Sequence, residues 1–352
     1  RDVRLDYFRG LGRFIIFVAH IFGNAWAAWI PARFGFSDAT EIFVFCSGMA
    51  SAIAFGAVFA KRGLALGTAR ILFRIWQVYW AHIGVFLIAV GVMVTVDQWL
   101  GTNGSYATGL MMDPLFDDRA RQAVVGLLTL RYVPPFFDIL PMYLVILGFV
   151  PVVMLLHRQW GRPAVAAFVL GLWFVSLFKV FELSREPWGP TPWFFNPFSW
   201  QIVFFAGFAF MRGWLPAPKF DRRLIWAALA VVAFSLPFEW EPLLNVVPQL
   251  REGRDAMGIL INKTHVGPLR FLHFLALAYL SYVAVGEGGR RLSGPIVWLI
   301  CKVGQQSLAV FISGLVLSFV ASVFLNVAGR TYFTVPFINL AGMATLVAIA
   351  FV

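Results

Sequence analysis

The sequence has few charged residues and few cysteines. Only 13% of its 352 residues are Asp, Glu, Lys or Arg, whereas soluble domains carry about 25%. Its two cysteines, Cys46 and Cys301, lie in apolar runs and lack both the spacing of a metal site and an obvious disulfide partner. These shortages argue against a soluble domain, a disulfide scaffold and a metalloprotein, and we expect no bound metal.

Apolar and aromatic residues dominate instead, at 60% and 17% of the chain, with 14 tryptophans. This composition is typical of a membrane protein with interfacial aromatic belts. We predict an all-α bundle of about ten transmembrane helices in contact with the lipid bilayer, forming a single domain over residues 1–352. The predicted spans are residues 8–30, 41–60, 71–96, 136–156, 163–181, 198–212, 224–238, 268–286, 296–326 and 332–352.

The basic residues indicate an orientation for this bundle. If ten spans alternate, the Lys and Arg of the short turns lie on the same side as the N-terminus, and most acidic residues lie on the other side. The positive-inside rule then places both termini in the cytoplasm. The net charge of +11 is therefore a topology signal. We expect no nucleic-acid partner, because the positive charges are dispersed over short membrane loops.

Ionisable residues within the first span are the strongest functional signal. Arg9 and His20 are 11 residues apart, so they share one helix face and lie about 16 Å apart along the axis. We expect the Arg9 guanidinium at the mouth of the span and the His20 imidazole roughly halfway down. A charged or titratable group at membrane depth indicates a functional site. The simpler alternative is a buried histidine whose hydrogen bonds a neighbouring helix satisfies.

Arginines at the predicted cytoplasmic mouth form a candidate anion receptor. Arg4 precedes the first span, Arg9 and Arg13 belong to it, and Arg70 and Arg74 share a helix face at the start of the third. Guanidinium groups bind phosphate through paired hydrogen bonds, so these residues are candidates for holding a nucleotide cofactor. The alternative for each of them is ordinary positive-inside anchoring.

Two carboxylates follow the first span on its outer side. Asp38 and Glu41 are three residues apart and share a face if a helix has begun. A carboxylate that holds an imidazole fixes its tautomer and raises its basicity. We expect Glu41 to orient His20, while Asp38 is the weaker candidate because it is also suited to cap the second span.

Polar and aromatic residues at the outer ends of later spans are candidates for binding a substrate that arrives from outside. His273 is also a second candidate for the catalytic base, although it lacks the register with Arg9. For any single tryptophan the alternative is the aromatic belt. The candidates are Asp138, Asn196, Trp200, Gln201, Lys263, Arg270 and His273.

Several of these motifs resemble known families. An Arg and a His separated by ten residues on the first span is similar to the membrane acyltransferase-3 superfamily. The fuller strings resemble the OpgC family, which modifies osmoregulated periplasmic glucans, and they occur in family order over almost the whole chain. The strings are RLDYFRG, GFSDATEIFVFCSG, FFDILPMY, FNPFSWQ, KTHVGPLRFLHFLALAYL and VGQQSLAVF.

The resemblance implies a multi-pass protein of the bacterial inner membrane with about ten helices. It implies a cytoplasmic acyl-CoA donor, succinyl-CoA in the named activity, and a periplasmic glucan acceptor. It makes His20 the catalytic histidine and Arg9 its motif partner. The chain departs from the family at Ala19 and Phe22, where the family commonly has an acid and a proline.

The resulting hypothesis is an integral membrane O-acyltransferase that moves an acyl group, succinyl by this resemblance, from a cytoplasmic acyl-CoA to a periplasmic glucan hydroxyl. One alternative is a secondary transporter or flippase for a glycan or an acyl donor, since buried His, Arg and acidic residues also form proton relays. The absence of an internal sequence repeat argues against a transporter. Another alternative is a catalytically silent sensor of glycan or acyl-CoA.

Overall fold

Helices account for the regular secondary structure of the protein. The computed structural model describes residues 2–352, and the all-α prediction is confirmed for this part of the chain, in which only one isolated bridge joins Ser184 and Pro192. The α-helices in chain order are α1 (Val3–His20), α2 (Ala39–Leu100), α3 (Ser105–Gly109), α4 (Ala120–Leu128), α5 (Ile139–Leu177), α6 (Pro197–Met211), α7 (Arg222–Ser235), α8 (Glu241–Val246), α9 (Pro248–Met257), α10 (Pro268–Val285), α11 (Pro295–Gln305), α12 (Ser307–Ala328) and α13 (Thr334–Ile349). Short 3₁₀ turns occupy Ala25–Trp29, Pro31–Arg33, Asp113–Leu115, Leu236–Phe238, Gly258–Leu260 and Glu287–Gly289.

Four of these helices, α2, α5, α10 and α12, are long and apolar enough to cross a membrane. Helices α6, α11 and α13 are apolar but shorter. The chain is therefore a membrane-type helical protein. The total of about ten spans and the cytoplasmic position of both termini stay predictions.

The first helix is displaced from the predicted span at residues 8–30. Asp2 caps its start by accepting a hydrogen bond from the backbone N–H of Arg4. The helix ends at His20, because Ile21 is extended and Gly23 has a φ of 69°. Asn24 then caps the next 3₁₀ turn through the backbone N–H of Trp26. The apolar run thus continues beyond the helix. A prediction from apolarity alone therefore set the end of the helix too far along the chain.

Two pairs of predicted spans are joined without an intervening loop. Helix α2 covers both predicted spans at 41–60 and 71–96, and it bends at Gly63, whose φ is 80°. Helix α5 covers both predicted spans at 136–156 and 163–181, and it bends at Gly161, whose φ is 74°. Residues with side chains rarely adopt such angles, so glycine permits each bend. The basic turns predicted at these positions are helical segments on either side of a bend.

The predicted ninth span, residues 296–326, is interrupted. Helix α11 ends at Gln305, Gln306 has a non-helical ψ of 39°, and α12 begins at Ser307. The apolar pattern on both sides concealed this break. Its consequence is that polar side chains at the junction face α1: Gln305 Nε2 donates to Asp6 Oδ2 over 3.2 Å, and Ser307 Oγ accepts from Arg13.

The chain divides into two compact units. The first contains the chain up to Ala52 together with Val203–Asn262 and Val266–Val352. The second contains Ile53–Ile202 and Lys263–His265. The prediction of a single domain over residues 1–352 includes both units and stays a prediction.

In the first unit, α1 lies very close to α11. A Cβ atom on Gly10 would lie 1.9 Å from the carbonyl oxygen of Ile300, and one on Gly304 would lie 1.8 Å from that of Asp6. Small residues allow this close approach of two helix backbones. Phe17 is buried, and its ring fills the space above Gly342 of α13. These contacts fix the rotation of α1, and with it the face that carries the candidate site.

In the second unit, backbone hydrogen bonds order the long segments around α4. The N–H of Val133 donates to the carbonyl of Arg185, and the N–H of Arg185 donates to that of Thr191, both over 2.8 Å. The aromatic rings of Phe86 and Phe137 pack edge to face with centroids 5.0 Å apart. The segments on either side of α4 are therefore folded.

Candidate active site

Helix α1 carries Arg9, Arg13 and His20 along one face, as the spacing predicts. His20 is half-buried and is the last residue of the helix, so it lies at a helix end, while its depth in the membrane stays a prediction. The carbonyl groups at a helix C-terminus stabilise a positive charge. An imidazole that accepts a proton at this position acquires such a charge.

The predicted anion-binding arginines of α1 differ in their partners. Arg4 forms a salt bridge with Asp2, with Nη2 and Oδ2 2.7 Å apart, and its guanidinium lies over the Tyr282 ring. The charge of Arg4 is therefore already compensated. Arg9 is half-buried, and its Nε has no hydrogen-bond partner within residues 2–352. Of the two, Arg9 is better placed to receive an anion.

Arg13 is buried, with 3% of its surface exposed. Its Nη2 donates to Ser307 Oγ over 2.5 Å, and its Cζ lies 4.1 Å and 4.9 Å from the ring centroids of Phe43 and Phe311. The Nε and Nη1 atoms have no hydrogen-bond partner in the described chain. Hydroxyl and aromatic neighbours therefore surround this guanidinium without supplying a negative charge.

The other two predicted anion-binding arginines lie on α2 in the second unit. Arg70 is exposed, and Arg74 is half-buried and donates to Gln77 Oε1 over 3.2 Å. Neither arginine has a carboxylate partner within residues 2–352. Both are thus open to an external anion, and their part in donor binding stays a prediction.

Asp38 and Glu41 form the N-terminal cap of α2 and a buried ion-pair cluster with Arg270. Asp38 accepts from the backbone N–H of Thr40 over 2.7 Å, and Glu41 Oε2 accepts from the backbone N–H of Asp38 over 2.8 Å. This reciprocal arrangement is a capping box. Arg270 Nε donates to Glu41 Oε1 over 2.5 Å, and its Nη2 donates to Asp38 Oδ2 over 3.2 Å. Two carboxylates thus share one guanidinium.

His273 lies one turn from Arg270 on α10 and contacts Ser37. The backbone N–H of Ser37 donates to His273 Nδ1 over 3.2 Å, and Ser37 Oγ is 2.7 Å from the same nitrogen. Because Nδ1 accepts, the neutral ring carries its proton on Nε2. A Cβ on Gly35 would lie 2.3 Å from that Nε2, so glycine makes room for the imidazole. Sequence reasoning missed Ser37, whose partner is 236 residues away.

In the second unit, Asn196 and Trp200 stabilise the start of α6. The side-chain oxygen of Asn196 accepts from the backbone N–H of Phe198 over 2.9 Å, and its Nδ2 donates to the carbonyl of Phe181. Trp200 is fully buried, and its indole N–H donates to the carbonyl of Lys263 over 3.0 Å. These contacts give both residues a structural role. Their contact with a sugar stays a prediction.

Gln201 and Lys263 lie beside this cap. Gln201 is fully buried and donates from Nε2 to the carbonyl of Val169 over 2.8 Å. The Lys263 ammonium is half-buried and lies 5.6 Å and 5.7 Å from the ring centroids of Phe194 and Phe195. The predicted acceptor residues therefore fall into two groups. Arg270 and His273 join the carboxylates of the first unit, whereas Asn196, Trp200, Gln201 and Lys263 belong to the second.

Asp138 immediately precedes α5 and is buried, with 6% of its surface exposed. Burial raises the pKa of this carboxyl to about 7, and the positive charges of Lys263 and Arg185 only partly oppose that shift. A buried carboxyl with a raised pKa is a recognised feature of functional sites. Asp138 is therefore able to exchange a proton near neutral pH.

We expect Asp138→Asn to raise the melting temperature at about pH 8 and to have little effect at about pH 3, below the ordinary pKa of the carboxyl. The ordinary pKa is 3.8 and the folded one is about 7. Between these values the folded state binds the proton more tightly, so stability falls as the pH rises through this window. Asparagine does not titrate and avoids that loss. Melting curves measured across this pH range test whether the variant gains stability relative to the parent as the pH rises. The exposed Asp255→Asn variant is the control. A pH-independent difference between Asp138→Asn and the parent contradicts the assignment.

A cavity of about 180 Å³ also lies in the second unit. Its wall includes Trp188, Tyr132, Arg119, Asp113 and Glu186. Much of this wall is internally bonded: Trp188 Nε1 donates to Glu186 Oε2 over 2.9 Å, and Arg119 lies over the Trp188 ring. The wall therefore combines aromatic rings with carboxylate and guanidinium groups.

Comparison with known proteins gave one result that bears on these residues. The family model described as OpgC protein matches residues 1–352. Neither the curated proteins nor the solved structures that were searched gave a match.

Proposed function

Because the chain belongs to the OpgC protein family over residues 1–352, we propose that it is an integral membrane O-acyltransferase of the bacterial inner membrane. It moves an acyl group, succinyl in the family's named activity, from a cytoplasmic acyl-CoA to a hydroxyl of a periplasmic glucan. The observation that carries this proposal is the common face of Arg9 and His20 on α1.

The donor binds along α1 in this proposal. Arg9 holds the phosphates of coenzyme A by charge-assisted hydrogen bonds, and Arg4 contributes less because Asp2 already compensates it. Arg70 and Arg74, which belong to the second unit, stay candidates for a phosphate contact. The pantetheine arm then runs along the face between Arg9 and His20, a distance of about 16 Å, and presents the thioester to the imidazole.

His20 acts as the general base. It removes the proton from a sugar hydroxyl, and the oxygen attacks the thioester carbonyl carbon. The carbon–sulfur bond breaks, the acyl ester forms on the sugar, and the thiolate of coenzyme A leaves and takes up a proton. A two-step route through an acyl-His20 intermediate is an alternative with the same products.

The carboxylate cluster supports this base. Glu41, with Asp38 as the weaker candidate, stabilises the imidazolium that forms on His20. Arg270 holds both carboxylates in place. A carboxylate beside an imidazole stabilises its protonated form. In the second unit, Asp138 and Lys263 bind the sugar, while Asn196, Trp200 and Gln201 shape the wall that holds it. His273, in the first unit, stays a separate candidate for a sugar contact.

The proposed orientation predicts which cysteines a membrane-impermeant thiol reagent reaches. Ser105→Cys and Asp255→Cys should be labelled from the periplasm, and Lys219→Cys only from the cytoplasm, because basic residues mark the cytoplasmic side. Whole cells and inverted vesicles provide the two sides. The parent, whose Cys46 and Cys301 are buried, is the background control. Labelling of Lys219→Cys from outside contradicts a cytoplasmic donor.

Acyl-CoA turnover by the purified chain in detergent, with and without glucan, tests the function. An acyltransferase releases free coenzyme A in a glucan-dependent manner. The alternative of a transporter or flippase draws on the break at Gln306, because interrupted helices form transporter binding sites. A transporter moves its substrate without releasing coenzyme A, and a silent sensor only binds it.

A further inference from the structure

Arg13 carries a buried positive charge that the described chain leaves without a counter-ion. It is 3% exposed, and two of its three guanidinium nitrogens have no hydrogen-bond partner within residues 2–352. A charge taken out of water is costly unless an opposite charge and hydrogen bonds compensate it. The two flanking rings and the Ser307 hydroxyl supply only part of that compensation.

The neighbouring charges increase the need for an anion. Arg9 lies one helical turn away and adds a second positive charge to the same face. The carboxylates of this region have other partners: Asp2 pairs with Arg4, Asp6 accepts a hydrogen bond from Gln305, and Asp38 and Glu41 pair with Arg270. An external anion is therefore the group that completes the Arg13 environment.

The surroundings of the guanidinium restrict the kind of anion. The Phe43 and Phe311 rings are parallel to within 11° and have centroids 5.9 Å apart, and both lie against Arg13. Aromatic faces pack well against methylene groups and do not hydrogen-bond to phosphate oxygens. Ser307 Oγ lies beside Nη2 and offers one further polar contact. This environment suits a carboxylate at the end of a short aliphatic chain.

Arg13 lies close enough to His20 along α1 to contact an acyl group whose thioester is at His20. Arg13 precedes His20 by seven residues, so the two lie on the same helix face about 10 Å apart along the axis. The side chains of Arg13 and His20 each reach across part of this distance. A short dicarboxylic acyl group could bridge the remaining gap if its thioester lies beside His20 and its free carboxylate folds back along the helix face towards Arg13.

We propose that Arg13 and Ser307 bind the free carboxylate of a dicarboxylic acyl group, and so select a charged acyl donor over a neutral one of the same length. This inference rests on the acyl-donor function proposed above. It assigns Arg13 to the acyl group, whereas Arg9 serves the phosphates.

Calorimetric binding to the purified full chain tests the assignment with three probes. These are succinyl-CoA, butyryl-CoA, which has a neutral methyl end, and succinyl-pantetheine, which has no phosphates. We expect the parent to bind succinyl-CoA about 10- to 100-fold more tightly than butyryl-CoA. Arg13→Met should reduce this ratio to within about threefold. Exposed Arg223→Met is the matched control and should keep the parental ratio.

A stability measurement separates this role from a purely structural one. Removing an uncompensated buried cation should raise the melting temperature of ligand-free Arg13→Met. Arg13→Lys keeps the charge without the planar fork, and should retain part of the succinyl preference. If Arg13→Met fails to fold, Arg13→Lys and Ser307→Ala carry the test, and each should lower the ratio by several-fold.

Two results overturn the inference. One is a parent that binds succinyl-CoA and butyryl-CoA equally. The other is an Arg13 effect that disappears with succinyl-pantetheine, because Arg13 then binds a phosphate. Turnover is measured separately: an Arg13-dependent succinyl preference without coenzyme A release supports this site and rejects the acyltransferase function.

Discussion

His20→Ala should reduce acyl transfer by about 100- to 10,000-fold and leave the fold intact, because a positioned general base contributes a factor of this size. His20 is half-buried at the end of α1 and lies outside the close contact between α1 and α11. Truncating its side chain therefore leaves the packing at Gly10 and Gly304 unchanged. The measurement is coenzyme A release by purified variant and parent, each checked for its melting temperature.

His157→Ala is the matched control, because His157 is another half-buried histidine on a long apolar helix. It should retain parental turnover. Donor affinity separates binding from chemistry: His20→Ala should bind acyl-CoA within about threefold of the parent. Near-parental turnover in His20→Ala removes His20 from the mechanism.

Arg270→Met should destabilise the protein by about 3–5 kcal/mol, because it leaves Asp38 and Glu41 as buried carboxylates without their counter-ion. Glu41→Gln keeps the shape and retains an oxygen for the backbone N–H of Asp38, so it should cost less stability. The double variant Glu41→Gln/Arg270→Met should recover part of the stability that Arg270→Met alone loses. Chemical unfolding of the single and double variants measures this coupling.

The same variants test catalysis. Glu41→Gln should lower turnover, shift its pH dependence and leave coenzyme A affinity nearly unchanged, since the lost charge would stabilise the imidazolium. Arg9→Gln should show the opposite pattern and weaken acyl-CoA binding by roughly 10- to 150-fold. If Arg9→Gln binds normally, or Glu41→Gln loses donor binding while keeping turnover, the division between donor and base residues is wrong.

Helical periodicity was sufficient to predict which residues share the face that carries the proposed site. The positions of Arg9, Arg13 and His20 follow from 3.6 residues per turn once α1 is recognised as a helix. The polar sequence around Asp38 and Glu41 likewise indicated a cap, and the structure shows a capping box there. These features depend on residues close together in the chain, where local rules apply.

Partners that come from distant segments were outside the reach of the sequence. Nothing near Glu41 indicates Arg270, which is 229 residues away, and nothing near Arg13 indicates Ser307, which is 294 residues away. The Ser37–His273 contact was missed for the same reason. Such pairings are set by how the helices pack, and a single sequence does not encode that arrangement in a readable local pattern.

The predicted helix boundaries were wrong where an apolar run continues through a position at which the backbone leaves the helical conformation. The run after His20 stays apolar although Ile21 leaves the helix, and the apolar pattern continues through the break at Gln306. At Gly63 and Gly161 the chain bends without a loop. Hydropathy measures the preference for lipid, and these positions are decided by backbone torsion angles instead.

The proposed function requires the acyl group to pass from a donor on one side of a sealed membrane to a glucan on the other side, and this transfer can be measured directly. The full chain is reconstituted into liposomes, with succinyl-CoA supplied only on the side that exposes Lys219→Cys and glucan only on the opposite side. We expect succinyl ester on the glucan, detected by mass spectrometry, with an equal amount of coenzyme A released on the donor side. Ester formation only when donor and glucan share one side, or coenzyme A release without any ester, contradicts the proposed function.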